Sequence, residues 1–361
     1  MTWLATRMST YQMNYFLRSG VSEASLELQR AGQELSTGRR ADIFGDLGPR
    51  AGVAITMRAR EESTQSYLWS NNVLENKLEA TLASVETIRD SVQDVLETVI
   101  LNKSKPTTSA DAMQSQARAA LETVLATLNV NYNGEHLFAG IASDSPPMNR
   151  WDAVNATTGL SPEGVMNAIV GTGPSDQATA LSMIAELDLA FSSQHTGNPN
   201  YNFESTFYQG TPELDGLGQP SERISGRLDV GQVLPYGVQG NDEGIRDIIK
   251  GLAMVVSVDL STMTDEDAYG AWMDEATSAL ANGVQSTLDD AAQIGFNQQV
   301  VEKAKTRLEA LSVIQRTQIA TYENIDPYEV ATKMSALETQ LQASYSVSGR
   351  LSGLSILNWL R

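Results

Sequence analysis

The chain has 361 residues, 41% of them apolar and 6% aromatic, with 25 Lys and Arg against 44 Asp and Glu and a formal charge of −19. That length and apolar content supply real cores for two or three domains, while a pI near 4.5 leaves no basic patch for phosphate binding and excludes a nucleic-acid partner. Cysteine is absent, which excludes disulfides, thiolate metal sites and a cysteine nucleophile.

The first predicted element is an assembly helix within residues 1–45. Leu4, Met8, Tyr11 and Tyr15 step by four, three and four, and after a slip the heptad resumes through Val21, Ala24, Leu28, Ala31 and Leu35. Residues 1–22 contain no Asp or Glu. The start also lacks the basic region, continuous apolar run and small-residue cleavage site of a secretory signal. No run of eighteen or more apolar residues occurs, so no membrane span is expected.

A Gly/Pro-rich break, Phe44-Gly-Asp-Leu-Gly-Pro49, opens the helical core of residues 46–140. Leu74, Leu78, Val85, Ile88, Val92, Val95 and Val99 then follow the 3.6-residue period between Val53 and Leu101. A helix of that length extends roughly 70 Å at ~1.5 Å per residue and needs other rods beside it. Pro106 and its Ser/Thr-rich neighbours predict a helix-to-helix turn with Ser109 as the next N-cap. The following helix presents Ala117, Leu121, Val124 and Leu128 and stops at Asn129 to Gly134, where Asn-Gly marks a tight turn. His136 to Gly140 reads as a short strand or extended segment.

Residues 141–243 hold 8 of the 11 prolines and 12 of the 27 glycines. Apart from a short helix near Gln177 to Ala190, they read as strands and turns, such as Phe203 to Gln209 and Arg227 to Tyr236, in a separate, mostly β insertion. Helix returns in a second core segment, 244–325, with Ile245, Ile248, Ile249, Leu252, Val255 and Val256 on one face. From Glu266 a very long pattern runs to Tyr322 until Asp326-Pro327 interrupts it. Residues 326–361 repeat the character of the start. Val330, Met334, Leu337 and Leu341 step at helical spacing, followed by Tyr345, Leu351, Leu354, Leu357 and Leu360, with no acid from Thr339 onward.

The predicted fold is therefore mainly α. The N- and C-terminal halves form a long antiparallel helical bundle or coiled coil, with the inserted β domain between them. A heptad stripe is more often intramolecular core than an assembly surface. Here, however, the outer face of the last helix carries Ser335, Gln342, Ser346, Ser348 and Ser352 where Glu would be usual, so it can be packed on both sides without burying unpaired carboxylates. The expected inter-subunit residues are Leu4, Met8, Tyr11, Tyr15, Leu28, Leu35, Met334, Leu337, Leu341, Tyr345, Leu351, Leu354, Leu357 and Leu360. No catalytic, cofactor-binding or metal residues are assigned. His136 and His195 have no partner at ligand spacing, and Gly171-Thr-Gly173 lacks the third glycine and the helix of a dinucleotide loop and reads as a turn.

Leu35-Ser-Thr-Gly-Arg-Arg40 resembles the stretch that closes the first helix in the flagellin family of bacterial axial proteins. Asp46-Leu-Gly-Pro49-Arg-Ala-Gly-Val-Ala-Ile55 resembles the turn that follows it there, although the family's usual double aspartate is not reproduced. Asn133-Gly-Glu-His-Leu-Phe-Ala-Gly140, Leu341-Gln-Ala-Ser-Tyr345 and Leu354-Ser-Ile-Leu-Asn-Trp-Leu360 resemble the family's hook-associated members at the hook-filament junction more than its filament subunit. The closing Leu360-Arg361 is flagellin-like. The resemblance implies a secreted, extracellular, non-enzymatic subunit of the bacterial flagellum, exported largely unfolded. It also implies partners: copies of itself, a neighbouring hook-associated protein and flagellin, and a cytoplasmic export chaperone at the C-terminal helix. Three alternatives stay open at this point: a filament flagellin, an unrelated coiled-coil scaffold, and a hydrolase hidden in the insertion.

Overall fold

The computed structural model describes residues 10–104 and 110–353. Helix α1 (Thr10–Thr37) is followed by a short α2 (Ile43–Leu47) and a 3-10 turn, Gly48–Arg50. Asp42 starts α2 by accepting the Gly45 amide at 2.9 Å, and Pro49, which lacks an amide hydrogen, sits at the first turn where none is needed. The interruption read from the sequence is thus a chain of caps. Two helices carry the long apolar periods: α3 (Ala51–Leu101), and, far along the chain, α8 (Glu266–Glu323).

Between them lie α4 (Ala110–Leu128), the hairpin β1 (Asn131–Tyr132) and β2 (Glu135–His136), α5 (Pro162–Val170), α6 (Gln177–Phe191), the hairpin β3 (Ser225–Asp229) and β4 (Gln232–Pro235), and α7 (Glu243–Ser257). After α8 comes α9 (Pro327–Gly353). Both hairpins are antiparallel. Asn133 and Gly134 take positive φ of 53° and 91°, as the expected Asn-Gly turn requires. The expected cap at Ser109 lies outside the described residues.

Residues 141–243 contain one hairpin of the expected kind but more helix than strand. Pro162 and Gly171 are helix punctuation here, at the first turn and the C-cap of α5, so residues that read as turn formers bracket a helix. Phe203 to Phe207, expected as a strand, forms a π-helical turn. Phe203 and Phe207 are both buried and stack at 5.3 Å, and each meets the Phe191 ring. Apolar residues four apart on one side suit a helical turn, whereas a strand would point alternate residues to opposite faces.

The chain divides into two compact units. Unit 1 comprises residues up to Gln65 and from Glu309 onward, and unit 2 runs from Ser66 to Leu308, so α3 and α8 contribute to both. In unit 2, α4, α7 and α8 enclose a core that includes Leu121, Ile248, Leu252, Trp272 and Met273. The Trp272 indole donates to the Met254 carbonyl at 3.0 Å, and the Tyr269 hydroxyl donates to Asn102 at 2.7 Å. Helices α7 and α8 approach closely because glycines stand at the crossing. A Cβ added at Gly283 would lie 2.4 Å from Ile248, and one at Gly244 would lie 2.2 Å from Ser286 Cβ.

Further along α8, Asp290 lines a cavity of about 320 Å³ with Asp242, Arg223 and Tyr236. Arg223 is committed to Asp242 through two hydrogen bonds of 3.0 and 2.6 Å, and Asp290 Oδ2 is buried without a partner. Burial first, and then the Asp242 charge, push the Asp290 carboxyl up to about 6. A carboxyl raised in this way binds its proton more tightly in the folded than in the unfolded chain. Its contribution to stability is therefore full below the ordinary carboxyl range and is lost as pH rises through 6. Asp290→Asn is expected to raise thermal stability at pH 7.5 by about 1–2 kcal/mol and to change little at pH 4. Melting curves at the two pH values check this, and an equal shift at both would mean that the carboxyl's charge is not the cause.

Candidate assembly surface

Unit 1 pairs the first and last described helices. Along α3 and α8 the register is antiparallel: Arg58 meets Glu323, Glu61 meets Arg316, and Gln65 meets Ser312. Glu61 accepts from Arg316 Nε at 2.8 Å, and that hydrogen bond holds its carboxyl below the usual range. The Glu323 side chain is only 2% exposed; its Oε2 accepts from Arg58 Nη2 at 2.7 Å, and its Oε1 lies in ion-pair contact with Arg58 Nε. A buried carboxylate in a guanidinium fork is held in one geometry.

Backbone contacts extend from the same place. α1 ends at Gly38, whose φ of +69° is a left-handed cap that glycine reaches without Cβ strain. Its amide returns to the Glu34 carbonyl at 2.8 Å, while its own carbonyl accepts from Ile325. The Arg40 amide donates to the Glu323 carbonyl at 2.8 Å, and Arg39 bridges Asn324. The Glu34 carboxylate receives the Ala41 amide. On the other side, Asp326 caps α9 by accepting the Tyr328 amide at 2.9 Å, with Pro327 in the first turn. The segment Leu35 to Arg40 and the Asp326-Pro327 step, read separately in the sequence, form a single clasp.

From the clasp, α1 and α9 run antiparallel, with Lys333 donating to Glu27 at 2.7 Å. That hydrogen bond lowers the Glu27 carboxyl and raises Lys333. Ala24, Ala31, Val330 and Leu341 are buried, and Leu28, Met334 and Leu337 are half-buried. Of the expected inter-subunit residues, Leu28, Met334, Leu337 and Leu341 thus lie toward the intramolecular side of the pair. Tyr15, Leu35 and Tyr345 are exposed, by 65%, 41% and 61%. Tyr15 and Tyr345 stand at about the same level, since Glu27 and Lys333 fix the register. Leu4, Met8, Leu354, Leu357 and Leu360 lie outside the described residues, as do the side chains of Tyr11 and Leu351.

The heptad slip has a structural meaning. Tyr15 and Leu26 are eleven residues apart, about three turns, and share a face of α1 roughly opposite Ala24 and Ala31. Leu26 is 63% exposed. α1 thus has one apolar stripe, closed by α9, and on its opposite, mostly polar side two exposed apolar side chains, Tyr15 and Leu26. The heptad reading missed Leu26, Phe16, Phe44 and Tyr328, all strongly exposed. For Phe16 and Leu26 the signal was an apolar residue off the stripe of α1.

The two histidines have structural partners. His136 Nδ1 lies 2.9 Å from the Asn129 carbonyl, and His195 Nδ1 accepts the Asn198 amide at 2.9 Å. Among the described residues no group of three His, Asp or Glu is placed to hold a metal ion, and no helix is long and apolar enough to cross a membrane.

The terminal helices thus pair with each other and still leave Tyr15, Leu26 and Tyr345 exposed. The bacterial flagellin N-terminal helical region matches residues 8–143, and the bacterial flagellin C-terminal helical region matches residues 276–360. Together they take in more than half of the chain, which belongs to the flagellin family and is a structural component of the bacterial flagellum. The chain is 19% identical over 360 residues to Flagellar hook-associated protein 3 of Salmonella typhimurium, covering 97% of this chain and 98% of that one. A solved flagellar hook-associated protein from Vibrio parahaemolyticus shares the fold, with a TM-score of 0.51 at 9% identity over 77% of this chain and 99% of its own. FlgL of Bacillus cereus aligns with a TM-score of 0.45 at 13% identity over 74% of this chain and 98% of its own.

Glu323→Gln removes the charge from the fork and is expected to speed amide exchange in α1 and α9 by about tenfold, leaving α4 and α7 unchanged. Unaltered exchange in α1 and α9 would show that the fork does not hold the pair. In the native chain, amides of residues 10–30 and 335–350 are expected to exchange faster than those of α4 and α7, because few of their side chains are buried. Equal protection by hydrogen-exchange mass spectrometry would mean that the terminal pair is already complete within one chain.

Proposed function

We propose that this protein is the junction adaptor between the flagellar hook and filament, and that it assembles through the terminal helices of unit 1. The observation that carries the reading is the end-to-end match to Flagellar hook-associated protein 3, in a chain whose α1 and α9 pair around buried Ala24, Ala31 and Leu341 while Tyr15, Leu26 and Tyr345 stay open. The exposed residues meet neighbouring copies. Such contacts are heterologous, joining different patches of adjacent copies, and they generate a helical array rather than a closed pair. The neighbours above and below are another hook-associated protein and flagellin.

The subunit functions outside the cell and leaves the cytoplasm largely unfolded, a route consistent with the absence of disulfides. Before export, the C-terminal helix is the segment a cytoplasmic chaperone covers, because an apolar helix without its partner cannot offset its ordering entropy. No catalytic role is assigned.

Deleting residues 339–361 is expected to leave unit 2 folded and to abolish incorporation at the hook end. Circular dichroism and electron microscopy of flagella from cells making only the truncated protein check this, and normal filaments on the truncated subunit would overturn the reading. If the purified full-length chain instead extends long filaments from seeds, the filament-flagellin alternative is correct.

A further inference from the structure

The charge of the chain is divided between its two units. Unit 1 has 12 Lys and Arg against 12 Asp and Glu, while unit 2 has 13 against 32 and so carries the entire −19. In unit 2 the positive side chains are largely committed to acids of the same unit. Lys250 donates to Asp188 and Glu275 at 2.6 Å each, Lys77 to Glu135 at 2.6 Å, and Lys305 pairs with Glu75. Arg223, Arg246 and Arg307 are paired with Asp242, Glu213 and Asp229. Acids such as Glu86, Asp94, Glu97 and Glu122 stand exposed on α3 and α4 and are in none of these pairs. Unit 1 balances its charges and presents the open apolar side chains of α1 and α9.

We propose that this division governs the association of copies: the neutral unit makes the contact between one chain and the next, and the acidic unit opposes it until salt screens the repulsion. The inference rests on the self-assembly reading above. It adds an electrostatic gate and identifies the accepted partner surface as the neutral, apolar unit 1 of a second copy. Like charges on neighbouring acidic units act over about 30 Å at 0.01 M salt and only about 8 Å at 0.15 M. A chain in dilute salt therefore meets a barrier to association that one in cellular salt does not. Burial of the open apolar side chains has no comparable dependence over that range, so ionic strength separates the two contributions.

The test is sedimentation and light scattering of the full chain from 10 to 500 mM NaCl, beside a fourfold variant carrying Glu86→Gln, Asp94→Asn, Glu97→Gln and Glu122→Gln. Association of the native chain is expected to rise with NaCl. The variant is expected to associate several-fold more readily at 10 mM and to converge with the native chain at 500 mM, with an unchanged melting curve. Association that is independent of salt, or a variant that follows the native curve throughout, would overturn the gate and leave the self-assembly reading standing. No association of the native chain at any salt concentration would overturn both.

Discussion

Arg58 and Glu323 stand 265 residues apart in the chain, and the arrangement of unit 1 depends on holding them together. Closing so long a loop has an entropic cost that grows only slowly with length, but the terminal helices alone have little with which to meet it. Their packed face fully buries only Ala24, Ala31, Val330 and Leu341, and leaves Leu28, Met334 and Leu337 half-buried. Arg58 on Glu323 and the backbone bonds that join Gly38, Arg40 and Ile325 therefore help to position α1 and α9. Glu323 also ends α8, so the position of the clasp is set by where the long helix stops.

This placement leaves the functional surface only partly used. In an ordinary domain the apolar side chains of a terminal helix are consumed by the core. Here one face of α1 is, and the face with Tyr15 and Leu26 is not. Large exposed apolar side chains on a chain that otherwise solubilises itself with 44 acids point to contacts made later. The division of charge runs along the same line, since the unit that carries Tyr15 and Leu26 is neutral while the other holds the whole net charge.

Much of this was legible in the sequence because long helices repeat one physical signal many times. The periods through Val85, Ile88, Val92 and Val95, and from Glu266 to Tyr322, locate α3 and α8 to within a few residues, and Asn133-Gly134 locates its turn. The segment from 141 to 243 was harder to read, since proline and glycine serve caps as readily as turns, and only neighbours distant in sequence decide which. Phe203 and Phe207 form a helical turn because Phe191 waits on one side of them. The family was legible from Leu35 to Arg40 and from Asn133 to Gly140, yet nothing in the pattern singled out Glu323 or Glu34 among the acids as buried. The stripe also left hidden which side of α1 faces α9, because a slip in a heptad marks a change of face without naming the partner on either side.

The clasp has a consequence for how the protein is made. One half of it lies within the first 60 residues and the other within the last 40 or so, so a ribosome that stalls or a protease that cuts anywhere between leaves a fragment with Arg58 or with Glu323 but never both. Such a fragment holds one side of the clasp and only one of the two helices that pair from it. The clasp thereby makes the pairing of α1 with α9 depend on an uncut chain between Arg58 and Glu323.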